Sequence, residues 1–140
     1  MTGKVSLHDR AKSDLQSARL IISQEASDEL LLDVAPYHVQ QGVEKLLKFS
    51  LATKGERPKH THDIAILAEQ LESAGDEIPA WLNENIDTLN SYATKTRYGS
   101  NIVGTKTKIT QLLGLAEEFL TALQPTIIND DAVKPSNLVN

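Results

Sequence analysis

Residues 37–51 decide the fold, and they read Tyr-His-Val-Gln-Gln-Gly-Val-Glu-Lys-Leu-Leu-Lys-Phe-Ser-Leu. Wound at about 100° per residue, this stretch separates into two chemically different faces, as an amphipathic helix does. The apolar arc carries Val39, Val43, Leu46, Leu47 and Leu51. The opposite, polar arc carries Tyr37, His38, Gln41, Glu44, Lys45 and Lys48. The spacing therefore predicts a helix that packs one side against a hydrophobic core.

Gln40 is the exception in this pattern because it falls on the apolar arc. A buried amide without hydrogen-bond partners costs about 1–3 kcal/mol. Two interpretations follow from the spacing. Gln40 is either a satisfied core amide beneath a solvated polar face, or a hub that holds functional groups in place.

Four short motifs resemble those of the HEPN domain family. These are small prokaryotic domains often encoded beside minimal nucleotidyltransferases. The resemblance covers residues 10 to 120, and the long helix with its paired glutamines and its Glu-Lys step resembles the signature helix of that family. The motifs are Gln40-Gln41 with Glu44-Lys45 and Lys48, Asp14-Leu15 with Ala18, Thr61-His62-Asp63-Ile64, and Arg97-Tyr98. The resemblance implies an all-helical fold.

Length and composition agree with one globular domain. The chain has 140 residues, 40% of them hydrophobic and 24% charged, which suffices for a single core. We expect a HEPN-like bundle over residues 1–124 and a flexible tail over 125–140. There are no cysteines, which excludes disulfides and fits a reducing cytoplasm. No apolar run approaches the roughly 20 residues that span a bilayer, so we expect a cytoplasmic protein without membrane contact.

The periodicity predicts five helical segments and no strand. The first runs from about residue 7 to 25. The second follows Asp33 as N-cap and ends at Gly55, the short third follows Thr61 as N-cap, the fourth begins near Pro79, and the last follows Gly104. Long helices joined by short loops pack as an antiparallel up-and-down four-helix bundle, here with one additional short helix. Gly42 would let a neighbouring helix approach closely.

The net charge of −5 means that any contact with nucleic acid requires a local basic patch. Cations cluster in three places, and a solvated surface is the simpler interpretation of each. The clusters are Lys45 with Lys48 and Lys54, Arg57 with Lys59, and Lys95 with Arg97, Lys106 and Lys108.

Two catalytic chemistries find little support in the sequence. No Glu-x-x-His pair occurs, so we expect no di-metal carboxylate site and no metal or other cofactor. No serine lies in a glycine-flanked elbow of the kind that hydrolases use.

Many HEPN proteins resembling this one carry an Arg followed four to six residues later by His, and cleave RNA without metal. No His follows Arg97 in this way. Arg57 and His62 have the spacing, but Pro58 lies between them and they precede the third helix. Metal-independent ribonuclease activity is therefore an alternative hypothesis, with Arg97 and an unidentified base.

A third group of residues is a candidate nucleotide or anion site. Cations, an amide and an aromatic ring near helix ends are the groups that bind phosphate. The residues are Gln41, Lys45, Lys48, His62, Arg97 and Tyr98, beside a polar network of Gln40, Glu44 and Asp63. The competing interpretation is an ion-pair network in which Glu44 and Asp63 partner Lys48 and Arg97 and fix the packing of the bundle.

We therefore predict a HEPN-like binding module rather than an autonomous enzyme. The resemblance implies a homodimer that engages a nucleotide, RNA or a nucleotidyltransferase partner, as one half of a toxin–antitoxin pair. Trp81 and Tyr92 favour a dimer because they give the fourth helix surplus aromatic surface. The alternatives are a ribonuclease toxin and a structural helical protein that docks a partner without a small-molecule site.

Overall fold

The computed structural model describes residues 6–24, 27, 30–94 and 102–123, and all regular secondary structure in this part of the chain is helical. The all-α class predicted from the sequence is confirmed. The elements are α1 (Leu7–Ser23), a π-helical turn (Leu30–Val34), α2 (Ala35–Thr53), α3 (Ile64–Ser73), α4 (Ala80–Glu84), α5 (Ile86–Tyr92) and α6 (Ile102–Ala122). None of these helices has the length and apolar character that crossing a membrane requires.

Helix α2 is the centre of the molecule. It packs against α1, α3, α5 and α6, and its apolar arc is completely buried. The up-and-down order of four equivalent helices stays a prediction. Helix α1 approaches α2 closely at Gly42, where an added Cβ would lie only 2.5 Å from Leu15 Cδ2 of α1. Glycine is therefore required here for the α1–α2 interface to close.

The start of α2 differs from the expectation that Asp33 caps it. The N-cap residue is Val34, which has helical backbone angles and makes no side-chain capping bond. The chain enters α2 through the π-helical turn, whose Leu31 N–H already donates to the Ser27 carbonyl at 3.1 Å. Because helical backbone precedes α2, a side-chain cap at Asp33 is not needed.

The start of α3 also corrects the sequence interpretation, since Asp63 and not Thr61 is the N-cap. The Asp63 carboxylate accepts from Ala65 N–H, and Thr61 Oγ1 accepts from Asp63 N–H at 3.0 Å. Asn90 of α5 accepts from Ile64 N–H at 2.9 Å. Two acceptors thus occupy the first N–H groups of this helix.

The predicted fourth helix is two short helices that meet at Asn85. Its backbone angles, φ −123° and ψ 16°, leave the helical region, and its side-chain amide donates to the Trp81 carbonyl at 2.7 Å. Asparagine readily makes such local bonds in competition with the helix. The break still keeps Leu82 and Leu89 in the core.

An ion pair on the outside joins α1 to α6. The Arg19 guanidinium donates through Nε and Nη2 to Glu117 at 3.1 and 2.6 Å. This hydrogen bond raises the pKa of Arg19 above its ordinary value, against the opposing effect of partial desolvation. Both groups are substantially exposed, so we assign the pair an orienting rather than a stabilising role.

Candidate functional site

Asp14, His38 and Lys45 form one cluster, named here the Asp14 triad, between α1 and α2. His38 Nδ1 lies 3.0 Å from Asp14 Oδ1, and Lys45 Nζ lies 2.7 Å from Asp14 Oδ2. An ionised carboxylate only accepts hydrogen bonds, so the imidazole donates from Nδ1. The carboxylate of α1 therefore binds two positions of α2, one about a turn before Gln41 and one about a turn after it.

Glu44, Lys48 and His62 form a second cluster, the Glu44 triad, between α2 and the loop before α3. Lys48 Nζ lies 3.0 Å from Glu44 Oε2, and His62 Nδ1 lies 3.0 and 3.1 Å from the two carboxylate oxygens. The Glu44 side chain is only 4% exposed, whereas that of His62 is 78% exposed. A buried carboxylate thus holds the inner nitrogen of a ring whose other side faces solvent.

Gln40 and Gln41 connect the two triads. Lys45 Nζ donates to Gln41 Oε1 at 3.2 Å, and Gln41 Nε2 donates to Gln40 Oε1 at 2.8 Å. Gln40 Nε2 donates to the His62 carbonyl at 3.1 Å and lies 3.5 Å from Glu44 Oε1. The Gln40 side chain is fully buried. One continuous hydrogen-bonded chain therefore runs from His38 to His62.

The backbone of His62 is held as firmly as its ring. Gln40 binds its carbonyl, and the next residue, Asp63, is fixed by capping α3 and by accepting from Asn90 Nδ2 at 2.9 Å. Because Asp63 and Asn90 already accept from the first N–H groups of α3, that helix start is closed to a phosphate. Asp63 makes its hydrogen bonds within this cap and not with the Glu44 triad.

The structure brings four of the predicted nucleotide-site residues onto the outer side of α2 and the adjoining loop: Gln41, Lys45, Lys48 and His62. Both lysines are paired with carboxylates there. Arg97 and Tyr98 lie outside the described residues. Glu44 was assigned to the polar arc by its position on the helix, but its carboxylate is buried because His62 and the loop lie across it.

Asp14, His38 and Asn90 belong to this arrangement, and sequence reasoning did not assign them to it. Asp14 acts on residues 24 and 31 positions away, and Asn90 on residues 26 and 27 positions away. Helical periodicity carries no information about such distant pairs. The only available signal was Asp14-Leu15 as part of the family resemblance.

The chemistry available here is that of oriented polar groups. In the described part of the chain no three His, Asp or Glu side chains come close enough to hold a metal ion. The Glu44 triad instead offers a fixed imidazole with an adjacent ammonium group. Such a pair can bind an anion, and the imidazole can accept a proton at Nε2.

Comparison with known proteins agrees with the all-helical fold. No curated protein and no solved structure gave a significant match. The sequence model of the HEPN domain matches residues 5–125, which is most of the chain and includes both triads. This protein therefore belongs to the HEPN domain family.

Proposed function

We propose that this protein is a binding module for a nucleotide or for RNA, and not an autonomous enzyme. Family membership indicates a nucleotide- or RNA-related module. The proposed contact surface comprises Gln41, Lys45, Lys48 and His62, together with Arg97 and Tyr98. The observation that carries the proposal is the placement of His62. Its ring is exposed, yet both its ring nitrogen and its carbonyl are bound by buried groups of α2.

The pairing of the lysines bears on how an anion would bind. Lys45 and Lys48 each donate to a carboxylate, which neutralises part of their charge. Each ammonium has three donors, so it can bind a phosphate oxygen while keeping its carboxylate partner. The carboxylates then position the lysines at the cost of some affinity.

We propose a homodimer as the assembly and a nucleotidyltransferase as the protein partner, in a toxin–antitoxin pair. The aromatic argument for the dimer is weaker than the sequence suggested, because Tyr92 is buried within the monomer and only Trp81 remains partly exposed, packed edge-on against Phe119. Light scattering at micromolar concentration should give the mass of a dimer. A monomer at that concentration contradicts this part of the proposal.

The binding proposal is tested by calorimetric titration with ATP and with a short single-stranded RNA. We expect saturable binding of at least one of them, weakened about tenfold in Arg97→Ala, since a charge-assisted hydrogen bond contributes about 1.5–3 kcal/mol. Thermal unfolding of the same variant is the control. If the parent protein binds neither ligand and Arg97→Ala only lowers the melting temperature, the structural ion-pair interpretation is supported instead.

A second candidate, metal-independent ribonuclease activity, is favoured by the Glu44–His62 pair. A carboxylate that accepts from Nδ1 leaves Nε2 as the basic nitrogen, which is how a general base is oriented. In RNA, His62 Nε2 would take the proton of a 2′-hydroxyl as its oxygen bonds to phosphorus, while the bond between phosphorus and the 5′-oxygen breaks and that oxygen takes a proton from water. Incubation of labelled RNA with parent protein in EDTA tests this. Cleavage that disappears in His62→Gln promotes the ribonuclease candidate, and intact RNA rejects it.

A further inference from the structure

The basic loop, residues 55–62, connects α2 to α3 and differs in composition from the rest of the surface. Its sequence is Gly-Glu-Arg-Pro-Lys-His-Thr-His, without a single large apolar residue. The side chains of Arg57, Lys59, His60 and His62 are exposed. Its chemistry is therefore that of cations, imidazoles and backbone.

The start of the basic loop is fixed by the end of α2. Gly55 has a φ of 80°, a left-handed conformation that favours glycine. Gly55 N–H donates to the Ala52 carbonyl and Glu56 N–H to the Leu51 carbonyl, both at 3.0 Å. This pair of bonds is a Schellman motif, which turns the chain away from the helix in one defined direction.

The middle of the loop is held by a single side chain of α3. Gln70 Nε2 donates to the Arg57 carbonyl at 2.9 Å, and Gln70 Oε1 accepts from Lys59 N–H at 3.0 Å. Thr61 N–H then donates to the Lys59 carbonyl at 2.9 Å and closes a tight turn around His60. Both ends of one amide thus fix the two cationic residues relative to each other.

The charges of the loop are less neutralised than those of α2. Lys54, just before the loop, pairs with Asp76 at 2.9 Å. Arg57 and Lys59 have no ion-pair partner among the residues that the structure describes. Glu56 is the one acid inside the loop, so the two cations outnumber it. With His neutral, the loop therefore has a formal charge of +1 in a chain of net charge −5.

We propose that the basic loop binds the phosphate backbone of a single-stranded nucleic acid, with Arg57 and Lys59 contacting phosphates and His60 available for stacking on a base. This inference rests on the proposed function for the class of ligand and extends the contact surface from His62 along the loop to His60, Lys59 and Arg57. A protein partner fits less well because protein interfaces bury an apolar centre, which the loop lacks. Fixing the backbone beforehand lowers the entropy lost on binding.

The test measures fluorescence anisotropy of labelled oligouridylate over a series of salt concentrations. Arg57→Ala with Lys59→Ala should weaken binding and lower the slope of log affinity against log salt by about 1.4, since each phosphate contact on a single strand contributes about 0.7. The matched control is Arg10→Ala with Lys12→Ala, which removes the same two residue types at the same spacing from an exposed part of α1. The control should keep the parent slope.

Gln70→Ala separates the geometry of the loop from its charge. This variant loses the two hydrogen bonds from Gln70 to the loop backbone, so the loop must be ordered when the ligand binds, and affinity should fall about threefold. The slope of log affinity against log salt should stay that of the parent protein, because no charge is removed. An unchanged affinity in this variant shows that the preordered loop does not matter and contradicts the inference.

The remaining outcomes show whether the loop inference alone fails or the proposed function fails with it. If the parent binds oligouridylate or ATP, and Arg57→Ala with Lys59→Ala keeps its affinity and slope, the loop inference is wrong and the proposed function stands. Equal losses in the loop variant and the α1 control also overturn the inference, since they reflect net charge alone. If the parent binds neither probe, both proposals fail.

Discussion

The Asp14 triad and the Glu44 triad use the same three groups, a carboxylate, a lysine and a histidine, and differ in what they expose. In the Asp14 triad the side chains of Asp14 and His38 are 16% and 28% exposed, so the whole cluster is half-buried between two helices. In the Glu44 triad the carboxylate is 4% exposed and the imidazole is 78% exposed. One cluster is closed, and the other presents a ring to solvent.

This difference separates scaffold from site. The Asp14 triad joins α1 to α2, beside the tight contact of Leu15 with Gly42, and its bonds are accounted for by helix packing. The exposed imidazole of His62 itself contributes little to stability. The need to pack helices together therefore does not explain why buried groups hold this ring in place. We therefore assign a structural role to the Asp14 triad, of which only Lys45 also belongs to the proposed contact surface, and a binding role to the Glu44 triad.

Breaking the link between the triads should have the largest effect. Gln40→Leu keeps the volume but leaves the His62 carbonyl without its side-chain donor and removes the shorter of the two hydrogen bonds of Gln41 Nε2. It should lower the free energy of unfolding by about 1–3 kcal/mol. Gln16→Leu on the exposed side of α1 is the control and should stay within about 0.5 kcal/mol of the parent. Equal melting temperatures for Gln40→Leu and the parent contradict a buried hub.

Removing each carboxylate charge sharpens the comparison. Glu44→Gln should lower the free energy of unfolding by about 1–2 kcal/mol, because Lys48 and His62 both lose a charged acceptor that is shielded from water. Asp14→Asn should cost less, about 0.5–1 kcal/mol, since the Asp14 carboxylate is more exposed to water than that of Glu44. Urea unfolding of the two variants measures the difference. If Asp14→Asn lowers the free energy of unfolding more than Glu44→Gln does, the Asp14 triad and not the Glu44 triad is the more tightly held one.

The sequence predicted what depends on neighbours along the chain. The two faces of α2 follow from the spacing of its valines and leucines, and Gln40 was conspicuous because it interrupts the apolar arc. The close approach of a neighbouring helix at Gly42 was also predicted, because glycine has no side chain. These features require only the geometry of one helix, which the residues themselves determine.

Features that depend on distant residues were missed or misassigned. Glu44 was placed on the polar arc and in a polar network, but helical periodicity could not show that its carboxylate is buried beside His62. The pairing of Lys45 with Asp14 needs α1 beside α2. Asn90 shares the capping of α3 with Asp63, which no local pattern shows. The break at Asn85 was overlooked because the apolar spacing continues through it.

The central claim is tested most directly by comparing His62→Ala with His38→Ala, each assayed for oligouridylate binding and for thermal unfolding. His62→Ala should weaken binding about three- to tenfold, for loss of one charged or stacking contact, and leave the melting temperature near that of the parent. His38→Ala should bind as the parent does and unfold at a lower temperature. If His62→Ala binds with the parent affinity, or if His38→Ala loses binding instead, the division into a structural Asp14 triad and a binding Glu44 triad is contradicted.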